Sequence, residues 1–155
     1  MRGKQAKNRE QDIDRKHKSP LIGRLINKVM QDGKKNRAED IVYYALEEGS
    51  SKVKVDAIDF INQAIDNVRP ALELRARRVG GSNYQIPIPV TTVRQETLAI
   101  RWIVDLARGK SGQSFKELLL SELLEAYKGD GEAVKKKNDV ERMAEANKAF
   151  AHFKW

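Results

Sequence analysis

Residues 72–90 read LELRARRVGGSNYQIPIPV, and their pattern differs from that of the rest of the chain. Apolar and polar residues alternate on both sides of a central glycine pair, which is the two-residue period of a β-strand. The glycine pair predicts a tight turn between two strands. Pro87 and Pro89 cannot donate to a sheet ladder, so the second strand cannot lie in the middle of a sheet. The stretch therefore predicts an isolated two-stranded hairpin at about residues 71–91.

The sequence on either side of the hairpin has the apolar period of α-helices. The predicted helices begin at Pro20, Asn36, about Asp56, Thr92, Ser114 and about Ala133. The first three end at Gly33, Gly49 and before Pro70, and the last runs toward Phe150 with Val140, Met143, Ala144 and Asn147 facing inward. Capping boxes are predicted at Asn36 with Glu39, Thr92 with Gln95, and Ser114 with Glu117. The predicted fold is all-α: a single domain of about six helices with a protruding two-stranded β-hairpin arm between helices three and four.

The length of the arm leaves two interpretations open. At roughly 3.3 Å per residue the arm reaches about 25 Å, which exceeds the ~15 Å gyration radius of a body of this size. A free ribbon is marginally stable in water unless something packs on it. Either the arm lies along a partner, or it folds back and buries its apolar face on the helices.

Composition excludes several classes of protein. The 155 residues include 30 Lys and Arg against 22 Asp and Glu, for a net charge of +8, and no Cys. Without Cys there are no disulfides, thiolate metal sites or cysteine nucleophiles. No apolar run approaches the ~20 residues of a membrane helix. The polar N-terminus, with Glu10, Asp12 and Asp14, predicts neither a secretory signal nor a transit peptide.

The positive charge is unevenly distributed along the chain. Residues 1–37 and 68–94 are strongly basic, whereas residues 38–67 are acidic. An excess of this kind points to a polyanionic partner. We interpret residues 1–19 as a basic, flexible extension and residues 20–155 as the folded domain. Like charges at a terminus often form a nucleic-acid-binding arm, and a merely solvated tail is the alternative.

Arginines form a row on the predicted fourth helix. Arg94, Arg101 and Arg108 recur every seven residues, so they share an exposed face, and we expect no acids between them. Arg24 and Lys28 share the exposed face of the first helix in the same way. A row of positively charged side chains is unfavourable on a protein surface, because the charges repel one another, unless an anion binds there. Because most aromatic residues fall on apolar faces, binding is expected to rely on phosphates and shape.

The sequence offers no candidate for catalysis. His17 and His152 lie in the two terminal segments, and no nucleophile elbow, zinc-protease motif or phosphate-binding loop is present. The acidic stretch has no metal-ligand periodicity. We therefore predict a binding protein with no metal or cofactor.

Several segments have the order and spacing of one known family. They read DGKK at residues 32–35, RRVGGSNYQIP at 77–87, LAIRWIV at 98–104, AVKK at 133–136 and RMAEANKAFAH at 142–152. In these segments the chain resembles small-subunit ribosomal protein seven, of the bacterial type. Residues 1–19 depart from the opening of that family.

The resemblance implies a structural ribosomal protein of the cytoplasmic small subunit. It implies binding to the 3′ major domain of small-subunit ribosomal RNA, nucleation of head assembly, and a hairpin near exit-site transfer RNA and departing messenger RNA. Head and platform proteins, among them small-subunit protein eleven, would be neighbours. The residues implied to bind ribosomal RNA are Arg24, Lys28, Lys34, Lys35, Arg75, Arg77, Arg78, Arg94, Arg101, Arg108, Lys135, Lys136 and Arg142. Those implied to lie near transfer or messenger RNA are Arg77, Arg78, Gly80, Gly81, Ser82 and Tyr84.

Two other functions are compatible with the residues alone. An architectural DNA-binding protein inserts an apolar wedge into the minor groove, and Pro87 or Pro89 could supply it. An adaptor would instead use the acidic second and third helices to bind a basic protein. The two differ from RNA binding in competitor preference and in salt dependence.

Overall fold

The computed structural model describes residue 3 and residues 13–153. Its elements are α1 Pro20–Val29, α2 Lys35–Val53, α3 Ala57–Val68, β1 Leu72–Val79, β2 Ser82–Pro89, α4 Thr92–Gly109, α5 Phe115–Tyr127, α6 Glu132–Ala146 and a 3₁₀ turn, Lys148–Phe153. This order confirms a mainly α fold with six helices and one antiparallel hairpin between the third and fourth. Most bases of the predicted N-terminal extension lie outside the described residues.

The ends of α1 and α2 differ from the sequence prediction. The first helix ends at Val29 rather than at Gly33, because Met30 is already extended. The second helix continues past Gly49 to Val53 and ends where Lys54 adopts a left-handed conformation. Gly49 is buried in the helix, and a Cβ there would lie 2.5 Å from the ring of Phe60. This glycine therefore allows α2 and α3 to approach closely instead of stopping the helix.

The predicted caps have mixed outcomes. No side-chain cap forms at the start of α2 or α4, so the boxes at Asn36 and Thr92 are wrong. The box at Ser114 is confirmed: its amide and hydroxyl both donate to Glu117, at 3.1 and 2.7 Å. Those hydrogen bonds lower the pKa of the Glu117 carboxyl. Asp56 caps α3 by accepting from the amide of Ile58 at 3.2 Å.

The core fills the space between the helices. Its largest fully buried side chains are Phe60, Ile22, Leu25, Ile26, Leu46, Ile61, Ile65, Ile86, Ile103, Leu119, Leu123 and Glu122. Trp102 is 8% exposed, as its predicted inward position requires. Met143 is 46% exposed, so its predicted inward position is wrong. It lies near the end of α6, which stops at Ala146, before the 3₁₀ turn.

The hairpin packs one face on the C-terminal segment. Val79 pairs with Ser82 across the two-residue turn, and both turn glycines have positive φ. Ile86 is fully buried, and the ring of Tyr84 lies 5.0 Å from that of Phe150. The amide of Ala71, at the base of the hairpin, donates to Glu141 of α6 at 2.9 Å. The fold-back interpretation thus holds for one face, while the turn itself is exposed.

The described part of the N-terminal extension contacts α2. Asp14 is buried and accepts hydrogen bonds from the amide of His17 and from the hydroxyl of Tyr43. Burial and the Asp14 carboxylate raise the pKa of Tyr43 to about 12. Lys16 forms an ion pair with Glu47. Asp14 and Lys16 therefore fix this short segment beside α2.

Candidate nucleic-acid interface

The arginine row of α4 lies beside α1. A shallow cleft of about 210 Å³ between the two helices is lined by Arg24, Asn27, Lys28, Thr97, Ile100 and Arg101. Three of the predicted RNA-binding residues are thereby gathered from two helices. Arg101 is exposed and forms no ion pair with any residue that the structure describes. A phosphate can therefore bind Arg101 in this cleft without displacing an acidic partner.

Acids interrupt the row, contrary to expectation. Glu96 is buried and lies 3.0 Å from Arg24, with Arg69 at 3.8 Å. Asp105 lies 2.8 Å from Lys28. The sequence pattern considered only the arginine positions, and these acids pair with cations of α1 and of the segment after α3. Exposed ion pairs contribute only about 0–1 kcal/mol, so a phosphate can compete for a partly exposed cation such as Lys28.

Basic residues continue into the turn between α1 and α2. A cleft of about 430 Å³ there is lined in part by Lys34, Arg37, Arg108 and Lys110. Lys34 is exposed and lies 3.5 Å from Asp32. Arg37 is exposed and has no ion pair among the residues described, and sequence reasoning missed it. Its position two residues after DGKK was the available signal, because it falls on the first turn of α2.

Arg108 contacts the end of α1 and is also exposed on the basic surface. Its Nη2 donates to the carbonyl oxygens of Lys28 and Val29, at 3.1 and 3.0 Å, and its guanidinium lies 5.9 Å from the ring centre of Phe115. The residue remains exposed. We call the combined surface the α1–α4 basic face; its members are Arg24, Lys28, Lys34, Arg37, Arg94, Arg101 and Arg108. Lys35 lies half-buried in the same turn.

Glu73 joins the hairpin to this face. Its carboxylate accepts from Arg75 of the same strand at 2.7 Å and from Arg94 of α4 at 3.1 Å. Burial raises the pKa of Glu73, but the hydrogen bonds and charges of the two arginines outweigh it, so the pKa is lowered overall. Sequence reasoning missed this residue, because the alternation of β1 identified it only as polar.

The hairpin turn presents the other predicted residues. Arg78 is exposed beside the turn and has no ion pair among the described residues, and Gly80, Gly81 and Ser82 are exposed as well. Arg77 is half-buried. Tyr84 is half-buried against Phe150, so its ring is not a free stacking platform.

The basic residues of α6 fall at separate places. Lys135 is exposed, and the ammonium of Lys136 lies 5.9 Å from the ring centre of Trp102, which brings the start of α6 next to α4. Arg142 is exposed and pairs with Asp139 at 2.8 Å. No contact of Arg142 joins it to the α1–α4 basic face within the described part of the chain.

Helix hydropathy and the grouping of acidic and His side chains bear on two other kinds of site in the described residues. No helix there is both long and apolar enough to cross a membrane. No group of His, Asp or Glu side chains there has the arrangement of a metal site.

The fold and this surface define a class: small, mainly helical proteins that combine a cationic helix face with a β-hairpin. The family model described as "Ribosomal protein S7p/S5e" matches residues 1–148, and the chain belongs to this family. It is 52% identical to "Small ribosomal subunit protein uS7" of Thermosipho africanus and 53% identical to that of Kosmotoga olearia, each over 155 residues and the whole of both chains. The protein of the same name from Pelagibacter ubique is 50% identical over 137 residues, or 88% of each chain.

Membership confirms the coarser predictions. A member of this family is a structural protein of the small ribosomal subunit and not an enzyme, and RNA binding is expected of it. The bacterial relatives agree with the predicted cytoplasmic location in that subunit. The architectural DNA-binding and adaptor interpretations are set aside on the same finding.

Proposed function

We propose that this protein binds the 3′ major domain of small-subunit ribosomal RNA through the α1–α4 basic face and the hairpin. One observation carries the proposal: the basic side chains of two helices and of the hairpin form one connected surface, joined through Glu73. Lys135 and Lys136 extend it at the start of α6. Arg142 is the least supported of the predicted contacts.

Binding would follow from counterion release. Each phosphate that an Arg or Lys neutralises releases condensed cations, so affinity falls steeply with salt. The internal ion pairs of Lys28 and Arg94 do not prevent this, because both side chains stay partly exposed and keep further N–H groups for phosphate. Arg24 can contribute less, because its Nε and Nη1 are buried and its Nη2 pairs with Glu96. A folded RNA junction would be recognised by its shape and 2′-hydroxyls in addition to its charge.

Nucleation of the subunit head follows from the same surface. A protein shifts an RNA folding equilibrium only by its difference in affinity for the folded and open forms. A rigid surface made from two packed helices and a hairpin contacts several RNA segments at once only when these segments have folded together. Binding would therefore stabilise the folded junction.

The hairpin turn would contribute to the messenger RNA exit path and to contact with exit-site transfer RNA. Arg77, Arg78, Gly80, Gly81, Ser82 and Tyr84 would lie near exit-site transfer RNA and departing messenger RNA, beside small-subunit protein eleven. The support is that Arg78 and the glycine turn are exposed, while the base of the hairpin is fixed by Ile86 and Glu141.

A competition experiment tests RNA binding. A labelled transcript of the 3′ major domain is bound to the full-length protein and challenged with unlabelled transcript, transfer RNA or duplex DNA at equal phosphate concentration. The unlabelled transcript is expected to compete best, and raising the salt from about 50 to 200 mM should weaken binding by orders of magnitude. Equal competition by duplex DNA would contradict the proposal. Cross-linking in purified small subunits then identifies the nucleotides next to the hairpin turn.

A further inference from the structure

Two arginines from different elements share one carboxylate where the hairpin meets the helices. Arg75 of β1 donates to Glu73 Oε1 from Nε at 2.8 Å and from Nη2 at 2.7 Å. Arg94 of α4 donates from Nε to Glu73 Oε2 at 3.1 Å. Each carboxylate oxygen therefore holds a different arginine.

Burial differs sharply between the carboxylate and its partners. The side chain of Glu73 is 13% exposed, while those of Arg75 and Arg94 are 54% and 42% exposed. A guanidinium has five N–H donors in a planar fork. Glu73 occupies the Nε side of both forks, so the Nη1 group of Arg75 and both Nη groups of Arg94 stay available on the surface.

We propose that Glu73 is a positioning residue for RNA binding: it holds Arg75 and Arg94 in one orientation, so that hairpin and helical body present them to the phosphate backbone as a fixed pair. The inference rests on the proposed binding to ribosomal RNA and names a residue that would act without touching it.

Net charge and the proposed positioning predict opposite effects of removing Glu73 on RNA affinity. Glu73 adds a negative charge to a surface that binds a polyanion, so its removal should strengthen binding through net charge. Positioning works against this, because long arginine side chains lose less rotamer entropy on binding when they are already ordered. The sign of the affinity change on removing Glu73 therefore separates the two effects.

The test uses the full-length protein and the 3′ major domain transcript. Glu73→Gln removes the charge with little change in shape, and Gln cannot offer both arginines a carboxylate oxygen. The matched control is Glu48→Gln, an exposed acid of α2 with no ion pair among the described residues, which makes the same change in net charge. Both substitutions are also made in an Arg75→Ala, Arg94→Ala background.

The expected result is binding about threefold to tenfold weaker for Glu73→Gln, the range typical of coupled neighbours. Glu48→Gln should stay within about twofold of the original affinity. In the Arg75→Ala, Arg94→Ala background, Glu73→Gln should not weaken binding further, because the two side chains that Glu73 positions are absent. A melting temperature measured for each variant separates binding from folding.

Three results would overturn the inference. These are unchanged or tighter binding by Glu73→Gln, an equal loss by Glu48→Gln, or a loss that persists in the background without the arginines. If Glu73→Gln does not fold, Arg94→Lys is used instead; it keeps the charge but lacks the planar fork, and unchanged affinity would overturn the inference. Failure of the original protein to prefer the transcript over duplex DNA would overturn the proposed function as well, which distinguishes the two failures.

Discussion

Arg108 of α4 donates a hydrogen bond of 3.0 Å to the carbonyl oxygen of Val29, the last residue of α1. The final carbonyls of a helix have no partner within it, and a basic side chain can satisfy them. Arg108 thus connects the ends of two helices that also carry the basic face. A residue predicted to bind RNA is at the same time part of what holds the surface together.

We therefore expect Arg108→Ala to weaken both folding and RNA binding. Loss of hydrogen bonds from a charged donor to two carbonyls should lower the free energy of unfolding by about 1–2 kcal/mol. Urea unfolding measures this change, and Lys52→Ala, at an exposed lysine of α2 without an ion pair, is the control. Unaltered stability would show that Arg108 does not stabilise the fold.

Arg101→Ala should affect binding only. Because Arg101 is exposed and unpaired among the described residues, its removal leaves the packing intact and the melting temperature unchanged. Affinity for the transcript should fall, and the slope of log affinity against log salt should drop by about one. Lys52→Ala again serves as the control. An unchanged slope would remove Arg101 from the interface.

Trp102→Ala tests the facing of α4. The indole of this α4 residue is buried, and the ammonium of Lys136 in α6 lies over its ring. Truncating an aromatic core residue to Ala typically costs about 3–5 kcal/mol. Chemical denaturation should show a loss of this size, and a melting temperature equal to that of the original protein would contradict the helix facing.

Lys110 and Glu122 form a pair whose loss should be costly. Lys110 lies 2.7 Å from Glu122, which is fully buried and also accepts from the amide of Ala133 at 3.2 Å. Lys110→Met leaves that carboxylate unpaired and should cost about 3–5 kcal/mol. The double variant Lys110→Met, Glu122→Gln keeps an acceptor for the amide and should recover most of the loss.

The same pair gives a pH dependence with a defined sign. The hydrogen bond to Glu122 raises the pKa of Lys110 above its ordinary 10.5, outweighing the burial that lowers it. A raised folded-state pKa means that the stabilisation is fully present below pH 10.5 and is lost as pH rises through the folded-state value. The stability difference between the original protein and the double variant should shrink in that alkaline range, where all other titrating groups are common to both. A constant difference would contradict the raised pKa.

Arg78→Ala should separate the hairpin turn from the helical surface. The side chain is exposed beside the turn, so folding should be unchanged, and affinity for the isolated 3′ major domain should fall by less than in Arg101→Ala. In reconstituted small subunits, binding of deacylated transfer RNA at the exit site should weaken. Lys52→Ala is the matched control, and equal exit-site binding by both variants would contradict the role of the turn.

Local sequence signals were sufficient for the architecture. The switch from helical to strand period at Leu72 and the glycine pair at the turn predicted the hairpin to within a residue or two. Ser114 with Glu117 predicted a capping box because both partners lie within one turn of chain. Gly49 was misread as a stop, because the contact that requires a glycine comes from Phe60, eleven residues away on another helix.

The candidate site likewise has features that the sequence could predict and contacts that it could not. Helical period alone predicted that Arg101 is exposed, since the apolar residues of α4 identify its buried face and therefore also the opposite face. The ion pairs of Arg24, Lys28 and Arg94 join residues 21 to 77 positions apart, so no spacing rule could predict them.

The helices, the hairpin and the excess of positive charge could be predicted from the amino-acid sequence, because they depend on composition and on residues a few positions apart. Tertiary structure alone decided which cations remain unpaired, that α1 lies beside α4, and that Glu73 holds an arginine from each side of the junction between hairpin and helices. The physical reason is that an ion pair depends on distances of a few ångströms between distant parts of the chain, and packing sets those distances.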